Sequence, residues 1–261
     1  MSDQKTILIT GASGNLGSKL RQHLQGRYSL RLLDLNTKDD PEIIQADLSL
    51  WDRAWVSAFD DVDTVVHLAA DPRASQSWER LIGPNMDALV NVFTAAAQAG
   101  VKRVVYASSN HAMGGYKDVP EVDKITTDLP PLPGTHYERN GQALNSIPYG
   151  SAKLFGERLG KCYADIYPMS VIAARIGWVW RGDNRAEDLP VGGGDSWLRL
   201  MWLSNRDYCQ LMERCIEADL DGGFAIVNGM SNNTGMRWDI EHTRRLVEYE
   251  PEDDVKGDSQ P

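Results

Sequence analysis

The chain has 261 residues and a formal net charge of −10 at pH 7. This length suits one α/β domain with a sizeable core, and the negative charge argues against a nucleic-acid partner. No apolar run approaches the roughly 20 residues of a membrane span, and the opening MSDQKTILIT lacks a signal-peptide pattern. The cysteines form no CxxC pair and indicate free thiols. We expect a cytoplasmic protein without nucleic-acid, membrane or metal partners.

Apolar runs typical of buried strands alternate with helical patterns along the chain. The predicted strands span 5–10, 30–34, 42–47, 64–70, 103–109 and 170–177, and the predicted helices span 14–25, 85–100, 149–167 and 205–218. This alternation predicts an α/β fold of the Rossmann type, with a doubly wound parallel sheet.

Three stretches depart from the alternation. Residues 116–148 are rich in proline and predict a long surface excursion. Residues 181–196 are charged and glycine-rich, and we prefer a substrate lid there to a plain surface loop. The tail beyond Glu248 is acidic and polar, so we expect it to fray.

A glycine-rich loop follows the first predicted strand. Gly11, Gly14 and Gly17 are spaced three apart between this strand and a helix. Glycines at such a place permit a tight turn, a close approach of backbone N–H groups to a pyrophosphate, and close packing of helix on strand. The loop therefore predicts a dinucleotide site, although an ordinary strand–helix turn can carry the same spacing.

The end of the second strand favours NAD over NADP. Asp34 stands there, where a carboxylate accepts a hydrogen bond from the ribose 2′-hydroxyl and repels a 2′-phosphate. Asp47 follows the third strand and either contacts adenine or caps a helix. We expect an NAD-binding domain over 1–177, and a small C-terminal substrate-binding or lid region over 178–261 within the same globule.

Tyr149 and Lys153 suggest the chemistry. Residues four apart lie on one face of a helix, and a lysine ammonium there favours tyrosinate. A base acting at neutral pH needs a pKa about 3 units below that of free tyrosine, and we expect Lys153 to supply much of this shift. Ser109 ends the fifth strand, where doubly wound folds bind their ligands. Its hydroxyl can hold the substrate oxygen that Tyr149 deprotonates.

The runs TGASGNLG, HLAA, YASS and YGSAK, in this order and spacing, resemble the extended short-chain dehydrogenase/reductases of the NAD-dependent epimerase/dehydratase family. The resemblance implies an enzyme with Ser109, Tyr149 and Lys153 as its catalytic triad. The residues expected at NAD are Gly11, Ser13, Gly14, Asn15, Leu16, Gly17, Asp34, Asp47, Leu48, Leu68, Ala69, Ala70, Asn85, Tyr149, Lys153 and Ile176.

A narrower resemblance concerns the substrate. SSNHAMGGY, AARIGW, MWLSNRDY and VNGMSNN resemble the uronate dehydrogenases and related sugar dehydrogenases, which oxidise C1 of a free sugar acid or sugar phosphate. HLAADPRASQSWE resembles the sugar-phosphate branch seen in haloarchaea. Trp178 and Trp197 stand where uronate dehydrogenases carry a serine and an arginine. The residues expected at the substrate are Arg73, Ser109, Asn110, His111, Tyr149, Trp178 and Arg199, with Arg206 as a further candidate for binding an anion.

Few residues remain after Gly177, fewer than the larger C-terminal domain of sugar-nucleotide epimerases requires, so we expect a pocket for a free sugar derivative. The expected reaction is NAD-dependent oxidation of a hexuronate to its lactone. The alternatives are a glucose-6-phosphate type of sugar-phosphate dehydrogenase, a sugar epimerase or dehydratase, and a non-catalytic dinucleotide sensor. Helices 85–100 and 149–167 either pair in a homodimer or higher homo-oligomer, or belong to the internal core.

Overall fold

The computed structural model describes residues 4–139, 141–189, 195–220 and 223–256. The strands in these ranges are β1 (Thr6–Thr10), β2 (Ser29–Asp34), β3 (Ile43–Gln45), β4 (Thr64–His67), β5 (Arg103–Ser109), β6 (His136–Arg139), β7 (Gln142–Asn145), β8 (Ser170–Ile176) and β9 (Gly223–Gly229). The α-helices in the same ranges are α1 (Asn15–Leu24), α2 (Arg53–Val56), α3 (Trp78–Ile82), α4 (Ala88–Ala99), α5 (Ile147–Ile166), α6 (Asp195–Leu200), α7 (Asn205–Glu217) and α8 (Glu241–Val247).

A parallel sheet with the strand order β3-β2-β1-β4-β5-β8-β9 forms the centre of the described chain. The chain runs outward from β1 to β3 and then returns to β4 on the other side of β1. This reversal opens a crevice at the carboxyl ends of β1 and β4, where open α/β sheets bind their ligands. The predicted Rossmann-type, doubly wound α/β fold is confirmed.

Both faces of the sheet are buried. Along β1, Ile7 and Ile9 point into one core cluster, which includes side chains of α1 and α7, and Leu8 points into another, which includes side chains of α4 and α5. Successive side chains of a strand alternate between faces, and parallel strands covered on both faces are apolar throughout. The described helices include none that is long and apolar enough to cross a membrane.

Some element boundaries differ from the prediction. The strand predicted over 64–70 ends at His67, because residues 68–71 leave the sheet as a loop. The excursion at 116–148 contains a hairpin of β6 and β7 that the sequence did not indicate. β9 belongs to the region after 177 and extends the same sheet. The substrate-binding role of that region stays a prediction.

The predicted lid at 181–196 lies partly outside the described residues, which stop at 189 and resume at 195. Asn184 anchors the described part. Its Oδ1 accepts a hydrogen bond from Trp202 Nε1 at 2.8 Å, and its Nδ2 donates to the carbonyl of Leu203 at 2.7 Å. Residues 181–189 are thus fastened to the chain that precedes α7, and movement of a lid stays a prediction.

The expectation of a frayed tail is wrong for residues 249–256. Tyr249 is fully buried and donates its hydroxyl hydrogen to the carbonyl of Met230 at 2.9 Å. Asp207, whose exposure is 0%, accepts hydrogen bonds from the backbone N–H groups of Glu252 at 3.0 Å and Asp253 at 3.1 Å. One buried carboxylate therefore holds the acidic segment, a long-range contact that composition does not reveal.

Replacing Asp207 by alanine removes the acceptor of these two N–H groups and of the Ser231 hydroxyl, which donates to it at 2.6 Å. We expect the Asp207→Ala variant to lose about 2–4 kcal/mol of unfolding free energy in urea titration, since buried donors are left unpaired. Asp219→Ala, an exposed acid just after α7, serves as the control. Equal stability of the two variants would contradict this account of the tail.

Candidate functional site

The glycine loop between β1 and α1 forms a tightly packed cradle. Gly11 has a φ of +70°, and a Cβ on it would lie 2.7 Å from the backbone nitrogen of Ala69. A Cβ on Gly17 would lie 2.1 Å from the carbonyl oxygen of Gly11. None of the described side chains caps α1 at Gly14, so first-turn N–H groups remain for a ligand. The cradle fits the pyrophosphate of a dinucleotide.

Asp34 lies beside this cradle at the end of β2. Its Oδ2 accepts a hydrogen bond of 2.9 Å from the backbone nitrogen of Ser13. A carboxylate fixed there is the acceptor expected for a ribose 2′-hydroxyl. The ammonium of Lys38 also reaches the loop and donates to the carbonyl of Ser13. The sequence did not indicate this second contact, because it depends on how the chain turns after β2.

Several other residues expected at the cofactor make contacts within the protein. Asn15 donates from Nδ2 to the carbonyl of Val179 at 3.2 Å. Leu16 packs on the core at one face of the sheet, and Leu48 is buried in the core at the other. Asp47 caps its own turn by accepting a backbone N–H two residues later at 3.0 Å. The structure thus gives each of these four residues a contact within the fold.

Asn85 braces the loop that follows β4. Its Oδ1 accepts from the backbone nitrogen of Asp71 at 2.8 Å, and its Nδ2 donates to the carbonyl of Asp71 at 3.1 Å. The backbone nitrogen of Ala69 donates to Thr10 Oγ1 at 3.3 Å. These contacts set residues 68–71 against the glycine cradle. Asn85 therefore acts on this loop rather than offering its amide to a ligand.

Ser109, Tyr149 and Lys153 come together at the carboxyl end of β5. Tyr149 and Lys153 are both buried on the early turns of α5, and Tyr149 shares a hydrogen bond with Ser109. Lys153 Nζ donates to the carbonyl of Ala107 at 2.7 Å and lies 5.7 Å from the centroid of the Tyr149 ring. Helix and strand thus place a phenol, a hydroxyl and an ammonium in one cluster.

The acidity of Tyr149 differs from the expectation. Burial raises the pKa of Tyr149 to about 12, while its hydrogen bond with Ser109 acts in the opposite direction. Burial also lowers the pKa of Lys153 to about 8, since both charged forms lose solvation. The pKa of Tyr149 is raised rather than lowered towards neutrality, because desolvation of the phenolate is the largest influence on it. That Lys153 lowers the pKa of Tyr149 stays a prediction.

His111 lies beside Tyr149, and Asn110 turns away. The His111 and Tyr149 rings meet edge to face with 5.5 Å between centroids, and His111 Nδ1 is 2.7 Å from Ser146 Oγ. Burial lowers the pKa of His111 to about 4, so the ring is neutral at pH 7. Asn110 donates from Nδ2 to the carbonyl of Ile176 at 3.0 Å. Its amide therefore ties the end of β5 to the end of β8.

All three arginines considered for an anion have partners within the protein. Arg199 donates to the backbone carbonyls of Leu189 at 3.1 Å and Val255 at 3.2 Å. Arg206 forms ion pairs of 2.9 and 2.6 Å with two carboxylates of the C-terminal segment. The side chain of Arg73 is 65% exposed and pairs with Asp71. Of these three, Arg73 presents the most accessible guanidinium.

Trp178 and Trp197 both pack within the protein. Trp178 is half-buried against a small apolar cluster that includes Trp202, and its ring lies edge-on to Trp180 at 5.0 Å. Trp197 is buried against Trp238, with 4.6 Å between ring centroids. Both indoles therefore pack against other tryptophans of the chain.

Comparison with known proteins identifies the family. The model of the NAD dependent epimerase/dehydratase family matches residues 7–180. The chain belongs to this family. The match confirms the family inferred from the motifs, and the NAD cofactor and the dehydrogenase class that go with it.

Two relatives and one solved structure show what the chain is similar to. An NAD-dependent glucose-6-phosphate dehydrogenase of Haloferax volcanii is 35% identical over 95% of this chain and 93% of its own length. A uronate dehydrogenase of Pseudomonas putida is 31% identical over 95% of this chain and 84% of its own. The crystal structure of uronate dehydrogenase from Agrobacterium tumefaciens is 29% identical, with a TM-score of 0.77 and coverage of 97% of this chain and 86% of that one.

Asp71 lies close enough to Tyr149 to affect its pKa, and the sequence motifs did not indicate it. Its side chain is 9% exposed, and the charge of its carboxylate raises the pKa of Tyr149. Arg73 forms an ion pair with this carboxylate, and its Nε donates to Oδ1 at 2.9 Å. An acid directly after HLAA was the available signal, but its relation to Tyr149 depends on the packing of α5 on the sheet.

Asp71→Asn removes a negative charge near the phenol. Because the carboxylate raises the pKa of Tyr149, its loss lowers that pKa, and tyrosinate forms at lower pH. We expect the rising limb of the kcat pH profile to move to lower pH. Asp165→Asn, which removes an exposed carboxylate at the far end of α5, should leave the limb in place. A rising limb that stays in place or moves to higher pH in Asp71→Asn would contradict the placement of Asp71 near Tyr149.

Proposed function

We propose that the protein is an NAD-dependent dehydrogenase that oxidises the C1 hydroxyl of a free aldose derivative to the lactone. The observation that carries the proposal is the cluster of Ser109, Tyr149 and Lys153 at the carboxyl end of β5. This cluster lies in the same sheet as the glycine cradle, whose strand β1 is separated from β5 by β4 alone. A base and a dinucleotide site at neighbouring strand ends are what hydride removal from an alcohol requires.

The chain's own residues handle the proton. Tyr149 accepts the hydrogen of the C1 hydroxyl, and Ser109, which is hydrogen-bonded to Tyr149, holds the same oxygen as it becomes a carbonyl. The C1 hydroxyl is the most acidic hydroxyl of a free sugar, so it places the lowest demand on the base. The buried ammonium of Lys153 favours the phenolate once solvent is excluded.

The cofactor is assigned to the glycine loop at 11–17, with Asp34 at the adenosine ribose. When bound, NAD supplies the hydride acceptor and a positively charged nicotinamide ring. His111 is neutral at pH 7 and presents its ring edge to Tyr149. We assign it to a sugar hydroxyl, because a neutral imidazole both donates and accepts hydrogen bonds.

Among the anionic sugars we favour a sugar phosphate. Arg199 is occupied by backbone carbonyls, and Trp197 is buried against Trp238, so neither residue presents a free cation to a uronate carboxylate. The Arg73 side chain is exposed, and a phosphate would replace Asp71 as the partner of its Nε and Nη2, since guanidinium groups bind phosphate in bidentate fashion. The 35% identical relative acts on glucose 6-phosphate.

A hexuronate is the second candidate. It is supported by the order Ser109, Asn110 and His111 after β5 and by the similarity to uronate dehydrogenases in sequence and structure. Both candidates are oxidised at C1, and they differ only in the anionic group of the sugar, which is a phosphate in one and a carboxylate in the other. An epimerase is less well supported, because the two relatives are named as dehydrogenases.

The substrate is tested by NADH absorbance at 340 nm with glucose 6-phosphate, glucuronate, galacturonate and glucose. We expect kcat/KM to be highest for the phosphate, and Arg73→Ala to lower it by about tenfold for the phosphate while leaving glucose nearly unchanged. Arg185→Ala, which removes an exposed arginine paired with Asp183, is the matched control. Turnover confined to the uronates would transfer the assignment to the second candidate, and silence with all four sugars would remove both.

The base is tested by Tyr149→Phe. Removing the phenolic oxygen should lower kcat by about 10²-fold or more, while the affinity for NADH in fluorescence titration stays within about twofold, because the cradle is untouched. Tyr137→Phe, on the separate β6–β7 hairpin, is the control. Full activity of Tyr149→Phe would exclude Tyr149 as the base.

A further inference from the structure

A buried polar network lies directly behind the catalytic cluster. The side chains of Arg175 and Glu157 are 1% and 5% exposed. Arg175 Nε donates to Glu157 Oε1, and Arg175 Nη2 donates to Glu157 Oε2, both at 2.8 Å. Ser108 Oγ donates to the same Oε1 at 2.6 Å. The carboxylate therefore receives hydrogen bonds from both neighbouring strands.

The three residues come from the three elements that meet at the site. Ser108 precedes the catalytic serine on β5 and lies opposite Arg175 in the β5–β8 register. Glu157 lies one helical turn after Lys153 on α5. Lys153 donates to the carbonyl of Ala107, the residue before Ser108. Successive turns of α5 are thus fastened to successive residues of β5.

Stability alone is a poor reason for this network. A buried ion pair loses much of its attraction to desolvation, and apolar residues of similar volume are often as stable. Arg175 Nη1 is buried and has no hydrogen-bond partner among the described residues, which adds to the cost. What apolar packing does not provide is a fixed direction, because the planar guanidinium and the carboxylate meet in one geometry.

We propose that Ser108, Glu157 and Arg175 are positioning residues that set the height and rotation of α5 against β5. They bring Tyr149 and Lys153 into line with Ser109. The inference rests on the proposed function only for its kinetic readout, since the contacts belong to the fold.

Ser108→Ala tests the network with the least damage, because the ion pair itself remains. We expect kcat to fall about tenfold, since a misaligned base slows the reaction more than it weakens binding, while KM for NAD and for the sugar stays within about twofold. Ser108→Thr retains the hydroxyl and should recover most of the loss. Unchanged kcat in Ser108→Ala would overturn the proposal.

Ser170→Ala is the matched control. Ser170 is also a buried strand serine with a charged partner, and its Oγ accepts from Arg103 Nε at 3.0 Å. It lies on β8 at the opposite end of the same β5–β8 ladder. A merely structural role predicts equal kinetics for the two alanine variants, and our proposal predicts a loss of kcat in Ser108→Ala alone.

A readout without turnover separates this inference from the proposed function. Competitive acetylation across a pH series, followed by peptide mass spectrometry, gives the pKa of Lys153, which burial lowers in the native protein. The loosened helix of Ser108→Ala should admit water and raise this pKa, while Ser170→Ala should leave it unchanged. Wild-type silence with every sugar would count against the function alone, whereas equal acetylation profiles in both variants would count against the network.

Discussion

The close packing of α5 across β5 is the contact on which the rest of the site depends. Three glycines of α5 make it possible. A Cβ on Gly156 would lie 2.4 Å from the Tyr106 ring, and one on Gly150 would lie 2.4 Å from the carbonyl oxygen of His111. Gly160 faces Val171 of the next strand, where a Cβ would lie 2.9 Å away. Because the helix approaches so closely, its tyrosine and lysine reach the strand end and lose most of their solvent.

Burial of the cluster also favours the uncharged forms of its tyrosine and its lysine. Desolvation raises the pKa of Tyr149 and lowers that of Lys153, so the phenol is neutral at pH 7 and the ammonium loses its proton more readily than in water. Asp71 acts in the same direction on Tyr149. If Tyr149 is the base that we propose, the positive charge of bound NAD would favour its ionisation.

Local patterns in the sequence predicted the sheet, the glycine loop and the pairing of Tyr149 with Lys153 on one helix face, because these depend on spacing within one strand–turn–helix unit or one helix. Such local patterns could not predict contacts between segments that are distant in the sequence. The docking of the tail on Asp207, the loss of Arg199 to backbone carbonyls, and the raised pKa of Tyr149 each depend on packing between segments.

The central claim is that the C1 hydrogen of the sugar leaves as hydride. Incubation of the enzyme with NAD and a sugar carrying deuterium at C1, followed by proton NMR of the recovered NADH, tests it most directly. We expect deuterium at C4 of the nicotinamide ring, together with a lactone or its hydrolysed acid. Unlabelled NADH, with deuterium retained on the sugar, would contradict C1 oxidation and would place the hydride transfer at another carbon.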